Sequence, residues 1–265
     1  MSHLRAVAFH EPKLGSTELE WEDGAGHDPG DPATGRSARC IVVDGATEAY
    51  DSIRWVGQLV DSFLGVEPDG GAPALTGVAM DEWFGLMQDR WVRTAPTRFA
   101  TIFEERKFRE DGSFATLLGC EIRDLDGPRP AWAAVALGDT VLFHVRDGGL
   151  VAQFPPIGAD DFGLNPDGVF TQPSARGRMR SALLLAEGRM AVGDRLYLAT
   201  DAMADWMVRT DGELLWRTLD RLDHPLLFRR LVADRRRTGE LKNDDVTLLR
   251  VQCTAAEPDL LVVCE

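Results

Sequence analysis

Four stretches of the chain bring an acid to the border of an apolar run. Cys40-Ile41-Val42-Val43 runs straight into Asp44-Gly45, and Gly138-Asp139 separates PAWAAVAL from TVLFHV. Asp201 follows DRLYLAT, and Asp244-Asp245 stand immediately before VTLLRV. An unpaired charge at the mouth of a core is costly, so each of these carboxylates needs a partner. Any one of them alone serves equally well as a turn former or a helix N-cap.

As a set they suggest more. In antiparallel neighbours the end of one strand lies beside the start of the next, so acids that follow some strands and precede another can gather on one sheet edge. If Asp44, Asp201 and Asp244 converge, they cannot all stay ionised without cations between them. The five histidines (His3, His10, His27, His144, His224) are scattered, and so are the four cysteines (Cys40, Cys120, Cys253, Cys264). Carboxylates, a backbone carbonyl and water suit magnesium or manganese rather than zinc. Gly45, without a Cβ, lets its own carbonyl approach an ion. Two such ions about 3.5–4 Å apart activate water and clamp a phosphoryl group.

The elements that must position these residues are legible in outline. RAVAF (5–9) and residues 38–43 read as strands, with a long Gly/Asp/Pro-rich loop over 10–37 between them. Residues 47–64 read as a helix with Tyr50, Ile53, Val56, Val60 and Leu64 on one face and Thr47 as N-cap. A second helix is predicted near 77–93, burying Met80, Phe84, Met87 and Trp91. From Ser113 the chain turns to strands: SFATLLGCEIRD, PAWAAVALGD, TVLFHVRDG, GLVAQFP, RMRSALLLAEG and DRLYLATD. In this reading Gly138-Asp139 is the tight connection of a hairpin. Helix returns over 202–236, and NDDVTLLRVQC closes as a strand. The class is α+β with largely antiparallel sheets, and no composition break divides residues 1–265, which read as a single domain.

Composition narrows the function classes. A 44% hydrophobic and 27% charged chain is ordinary for a globular protein, and the net charge of −14 argues against nucleic acid or an anionic membrane as partner. No apolar stretch approaches the roughly 18 residues of a membrane span, and the N-terminus lacks a signal-peptide core. Unpaired cysteines fit reduced thiols in the cytoplasm.

Taken in order, the segments resemble the metal-dependent protein phosphatases of the protein phosphatase 2C type, in a bacterial branch. WEDGAG (21–26) is similar to the family's early Glu-Asp motif and VVDGAT (42–47) to its Asp-Gly metal motif. GSFATLLG (112–119), ALGDTVLFHVRDG, LYLATDAM and NDDVTLLRV resemble the Gly-Ser-x-Ala-Thr strand, the Gly-Asp-Ser hairpin, Leu-Ala-Thr-Asp-Gly and Asp-Asn-x-Thr. FPPIGADDFGLNP resembles a stretch found in that branch.

The resemblance implies a four-layer αββα sandwich of two antiparallel β-sheets flanked by helices. It also implies a serine/threonine protein phosphatase that hydrolyses phosphoserine or phosphothreonine by direct attack of a water bridging two metal ions. By position, Asp44 would bridge two Mn2+ or Mg2+ ions, the Gly45 carbonyl would bind one, and Asp201 and Asp244 would complete the other. Glu22 and Asp23 would hold metal-bound waters, which makes Asp23 a catalytic residue beside Asp44. Asp139 would help bind a third, weaker ion, and Asp245, where the family often has Asn, would support the loop. The implied partners are a phosphorylated protein and a Ser/Thr kinase.

Two departures stand out. Glu18 occupies the place of an arginine that grips the substrate phosphate in some members, and Ala46 that of a histidine common in eukaryotic ones. Lys13 is the nearest basic candidate for the phosphate, against the alternative of a surface lysine, and DRRRTGELK (234–242) reads as a solvated helix end. A phosphoprotein-binding or sensor module without turnover, and a phosphatase of small phosphomonoesters, are the competing functions.

Overall fold

The apolar runs are continuous, rather than alternating with polar residues, because both faces of their sheets are covered. The structure, a computed structural model, describes residues 2–31, 33–66, 71–96, 98–127, 129–163, 166–210 and 212–255. The last cysteine, Cys264, and part of the FPPIGADDFGLNP stretch lie outside them.

The strands are β1 (His3–Glu11), β2 (Gly24–Asp28), β3 (Ala38–Gly45), β4 (Phe114–Arg123), β5 (Ala131–Leu137) and β6 (Val141–Arg146). They continue as β7 (Gly149–Phe154), β8 (Val169–Phe170), β9 (Leu184–Arg189), β10 (Arg195–Ala199) and β11 (Val246–Thr254). One sheet has the order β1-β11-β10-β6-β7, the other β2-β3-β4-β5-β9 with β8 on β4, and every pairing is antiparallel. The expected α+β class with two antiparallel sheets and flanking helices is what the structure shows.

Alternation along each strand sorts its side chains between layers. On β3, Cys40 and Val42 enter the layer between the sheets, whereas Ile41 and Val43 point out beneath α1 (Ser52–Leu64) and α2 (Gly77–Arg93). On β11, Leu249, Val251 and Cys253 enter the same middle layer. Val246 and Leu248 face the outer layer of α5 (Asp201–Thr210), α6 (Glu213–Asp220) and α7 (Pro225–Thr238). Two shorter helices, α3 (Ile102–Arg106) and α4 (Arg176–Ala182), complete the α-helices among the described residues. None of the described helices is long and apolar enough to cross a membrane.

Several expectations need correction. The first long helix starts at Ser52, because Ala49 N–H closes a turn on the Ala46 carbonyl and Tyr50 N–H donates to the Gly112 carbonyl. Thr47 is therefore not its N-cap. The buried face carries Trp55, Val56, Leu59 and Phe63, and Ile53 is exposed. The 10–37 segment is not all loop: it contains the end of β1 and the whole of β2. RMRSALLLAEG divides between α4 and β9, and the 202–236 helical stretch is three helices. Gly138-Asp139 does not close a hairpin, since β5 and β6 belong to opposite sheets. Gly138 has φ +113, a value that side-chain-bearing residues rarely adopt, and there the chain crosses from one sheet to the other.

Candidate metal centre

At one end of the sandwich the middle apolar layer gives way to polar side chains at the same alternation phase. Cys40 and Val42 are followed by Asp44; Cys120 and Leu118 are preceded by Thr116; Leu196 and Leu198 are followed by Thr200; Leu249 is preceded by Thr247. These positions meet. Asp44 pairs across the ladder with Thr116, whose hydroxyl lies 2.6 Å from that of Thr140 at the head of β6. Thr247 N–H donates to Thr200 Oγ1 at 3.0 Å, and Thr247 Oγ1 donates to Asp23 Oδ2 at 2.7 Å. A hydroxyl bridge and a carboxylate bridge thus join the two sheets at the mouth.

The carboxylates converge on that mouth. Asp44 is pushed well above the usual carboxylate range, first by burial and then by the charges of Asp23, Asp201, Asp139 and Asp244. Asp23, 5% exposed, is raised to about 8, chiefly by burial, with Asp245 and Asp201 adding repulsion against the Thr247 and Thr200 hydrogen bonds. Asp201, the first residue of α5, is raised to about 6 by burial and by Asp139 and Asp244. Asp139 is also raised by burial; one of its oxygens accepts from Gly163 N–H at 3.3 Å, and Oδ1 is buried with no hydrogen-bond partner among the described residues.

A second group holds the loop that leads into β2. Glu22 accepts from Ser52 Oγ at 2.6 Å and from Lys13 Nζ at 2.9 Å. Burial pushes its carboxyl up, but these bonds together with Thr47 outweigh it and hold it low. Asp245 accepts Lys13 N–H and Glu22 N–H at 2.8 Å each, tying both ends of the 13–22 loop to the start of β11. A Cβ on Gly45 would collide with the Glu22 carbonyl, so the glycine permits this close approach as well.

The acids expected from sequence, Glu22, Asp23, Asp44, Asp139, Asp201 and Asp244, therefore surround one mouth, with the backbone of Gly45 beside them. Lys13 is no free surface lysine: its side chain is 22% exposed and bound by Glu22 and, at 2.9 Å, by Thr47. Glu18 lies further out, bonded to His10 at 2.8 Å and Arg229 at 3.3 Å. The DRRRTGELK run is not wholly solvated, because Arg236 turns inward to donate to the carbonyls of Pro12 and Asp244. Sequence reasoning missed Arg236 and Ser52; each is a polar residue in a helix, and nothing in its local pattern marks it.

The donors suit hard divalent cations. Buried, crowded carboxylates raised first by burial and then, for Asp23, Asp44 and Asp201, by mutual repulsion, together with an acceptor at Asp139 that has no donor among the described residues, have the chemistry that a cation satisfies. Among the described residues no three His, Cys, Asp or Glu side chains form a ready-made metal cage. Magnesium-like ions keep several waters and take few protein ligands, so open spacing accords with them.

No family model and no curated protein matches the chain by sequence. Solved structures do match. The chain is similar to the catalytic domain of the serine/threonine protein phosphatase PstP in complex with two manganese ions, at 16% identity and TM-score 0.60, covering 96% of this chain and all of that one. Serine/threonine phosphatase Stp1 from Staphylococcus aureus is similar at 13% identity and TM-score 0.64 over 94% of each chain. PstP/Ppp of Mycobacterium tuberculosis is similar at 18% identity and TM-score 0.56, over 94% of this chain and 98% of that one. Likeness at this identity shows a shared fold.

Proposed function

We propose that the chain is a metal-dependent serine/threonine protein phosphatase, hydrolysing phosphoserine and phosphothreonine in proteins supplied by a kinase. The observation that carries this reading is the convergence of Asp23, Asp44, Asp139, Asp201 and Asp244 on one mouth of a fold shared with such phosphatases. Two Mn2+ or Mg2+ ions, when bound, would supply Lewis-acid polarisation of the phosphoryl group and a nucleophilic water at neutral pH.

The residues divide the remaining work. Asp44 would hold both ions from β3 and the Gly45 carbonyl one of them, while Asp201 and Asp244 would hold the other from the opposite sheet. Asp139, through an oxygen with no hydrogen-bond partner among the described residues, would help hold a weaker third ion. Asp23 has a buried carboxyl held by Thr247, which suits it to orient water and to hold or release a proton. Glu22, with Ser52 and Lys13 on its two oxygens, has one orientation open to it and would fix a water on the β2 side. Lys13 could then meet a phosphate only by leaving Glu22. That engagement favours a second reading, a phosphoprotein-binding module that keeps ions without turnover.

Phosphate release from a phosphothreonine peptide, with and without Mn2+ and with Asp44→Asn alongside, tests the proposal. We expect manganese-dependent release in the wild type, reduced by several orders of magnitude in the variant. Undiminished activity in Asp44→Asn would overturn the assignment, and peptide binding without release would favour the second reading.

A further inference from the structure

We infer that Lys242, not Lys13, is the side chain that grips the substrate phosphate, an inference that rests on the phosphatase reading for the identity of the ligand. A phosphate dianion seated on a ring of carboxylates needs a cation from the protein as well as any ions, because its outer oxygens otherwise face acids. Glu18 cannot serve, and Lys13 is committed to Glu22 and Thr47.

Lys242 differs on each count. It stands two residues before Asp244, in the segment that delivers that acid to the mouth. Its ammonium lies beside Gly163, the residue whose N–H binds Asp139, which places it on that side of the centre. Its one ion pair among the described residues is a loose contact of 3.7 Å to Asp205 Oδ2. Asp205 is already served by Arg209 Nε at 2.7 Å, so Lys242 can swing away with little loss.

The side chain has open space around it. Lys242 lines a cleft of ≈ 620 Å³ with Trp206, Arg209 and Glu240, and its side chain is 46% exposed. Gly163, whose N–H binds Asp139, faces the ammonium: a Cβ there would lie 3.7 Å from Nζ. The other cleft cation, Arg209, is held by Asp205 and the Ala159 carbonyl. A point charge on a flexible four-carbon stem, loosely held at the edge of the acid ring, is suited to follow phosphate through binding and release.

The test is inorganic phosphate binding to manganese-loaded protein, read by calorimetry and by competition against p-nitrophenyl phosphate hydrolysis. Losing one charge-assisted contact should weaken phosphate about tenfold to a hundredfold in Lys242→Ala. KM for p-nitrophenyl phosphate should rise in parallel, with manganese affinity not weakened and thermal stability unchanged. Lys242→Arg should recover most of the loss. Lys13→Ala should instead weaken manganese binding, through Glu22. Phosphate affinity in Lys242→Ala within twofold of the wild type would overturn the inference, as would failure of the wild type to bind phosphate at all. Phosphate binding by a wild type that hydrolyses nothing would overturn the phosphatase reading alone, and the variants would still decide Lys242.

Discussion

Asp245 offers the sharpest test of how the candidate metal centre is built. The carboxylate is 4% exposed, and each oxygen accepts one backbone N–H at 2.8 Å, from Lys13 and from Glu22. A hydrogen bond to a charged group contributes about 1.5–3 kcal/mol, so losing two in Asp245→Ala should cost about 3–6 kcal/mol. That is a large share of the roughly 5–15 kcal/mol by which a domain is stable. One effect opposes it: Asp245 repels Asp23, and its removal relieves that repulsion. Below about pH 6 the opposing effect vanishes, because Asp23, raised to about 8, then carries its proton. Urea unfolding of metal-free protein at pH 6 is therefore the assay. Asp245→Asn keeps one acceptor oxygen and should lose about half as much, roughly 1.5–3 kcal/mol. Both variants should also bind manganese more weakly, since Glu22 is no longer anchored. Stability of Asp245→Ala within about 0.5 kcal/mol of wild type, the range of an ordinary surface change, would refute the idea that this carboxylate ties the loop.

Two further predictions follow from the same mouth. Gly45→Ala should cost about 1–3 kcal/mol by overpacking, because the new methyl meets the Glu22 carbonyl and comes within 2.9 Å of Val56 Cγ2. It should weaken manganese binding in calorimetry, and a variant as stable as wild type would contradict the close approach. The metal-free protein should lose stability as pH rises. Asp201, near 6, and Asp23, near 8, keep protons in the folded chain that the unfolded chain releases from about pH 4 upward, so the stabilisation falls between about pH 4 and 8. Urea melts in chelator across that range check it, and a flat or rising profile would count against the burial and crowding of these carboxylates.

Much of the fold could be read in the sequence because burial on both faces wrote it plainly. The continuous runs in β3, β4, β5, β6 and β10 and the Met80-Phe84-Met87-Trp91 stripe of α2 fall where their patterns put them. β2 could not be read, since GAGHD has no apolar alternation. Its glycines are set by contact with α1, where Val56 and Leu64 occupy the space of the missing Cβ atoms of Gly24 and Gly26. The start of α1 was missed because Thr47 is an acceptable N-cap in isolation, while its hydroxyl is taken by Lys13 from 34 residues away. The sheet to which a strand belongs is equally non-local. ALGDTV looks like a hairpin turn, and only Gly138 at φ +113 and Thr116 bonded to Thr140 show it to be a crossing between layers.

The placement of the acids has a simpler origin than any one motif. Four strands carry apolar residues into the middle layer at every second position, and each changes to Asp or Thr at its next such position toward one end: Asp44, Thr116, Thr200 and Thr247. Period-2 geometry brings side chains of that phase into the space between the sheets, and antiparallel pairing sets the end of β10 beside the start of β11. Asp201 lies just beyond the end of β10 and Asp244 just before the start of β11, so register brings those two together, and the packing of the sheets sets them against Asp44. A one-residue slip of β11 would send Thr247 to the outer layer and bring Val246 and Leu248 inward, removing the Asp23 bridge and burying apolar side chains at the mouth. The same alternation that packs the core thus fixes where the charges stand, and the cost of crowding them falls on a few positions at one rim, within reach of the cations that can relieve it.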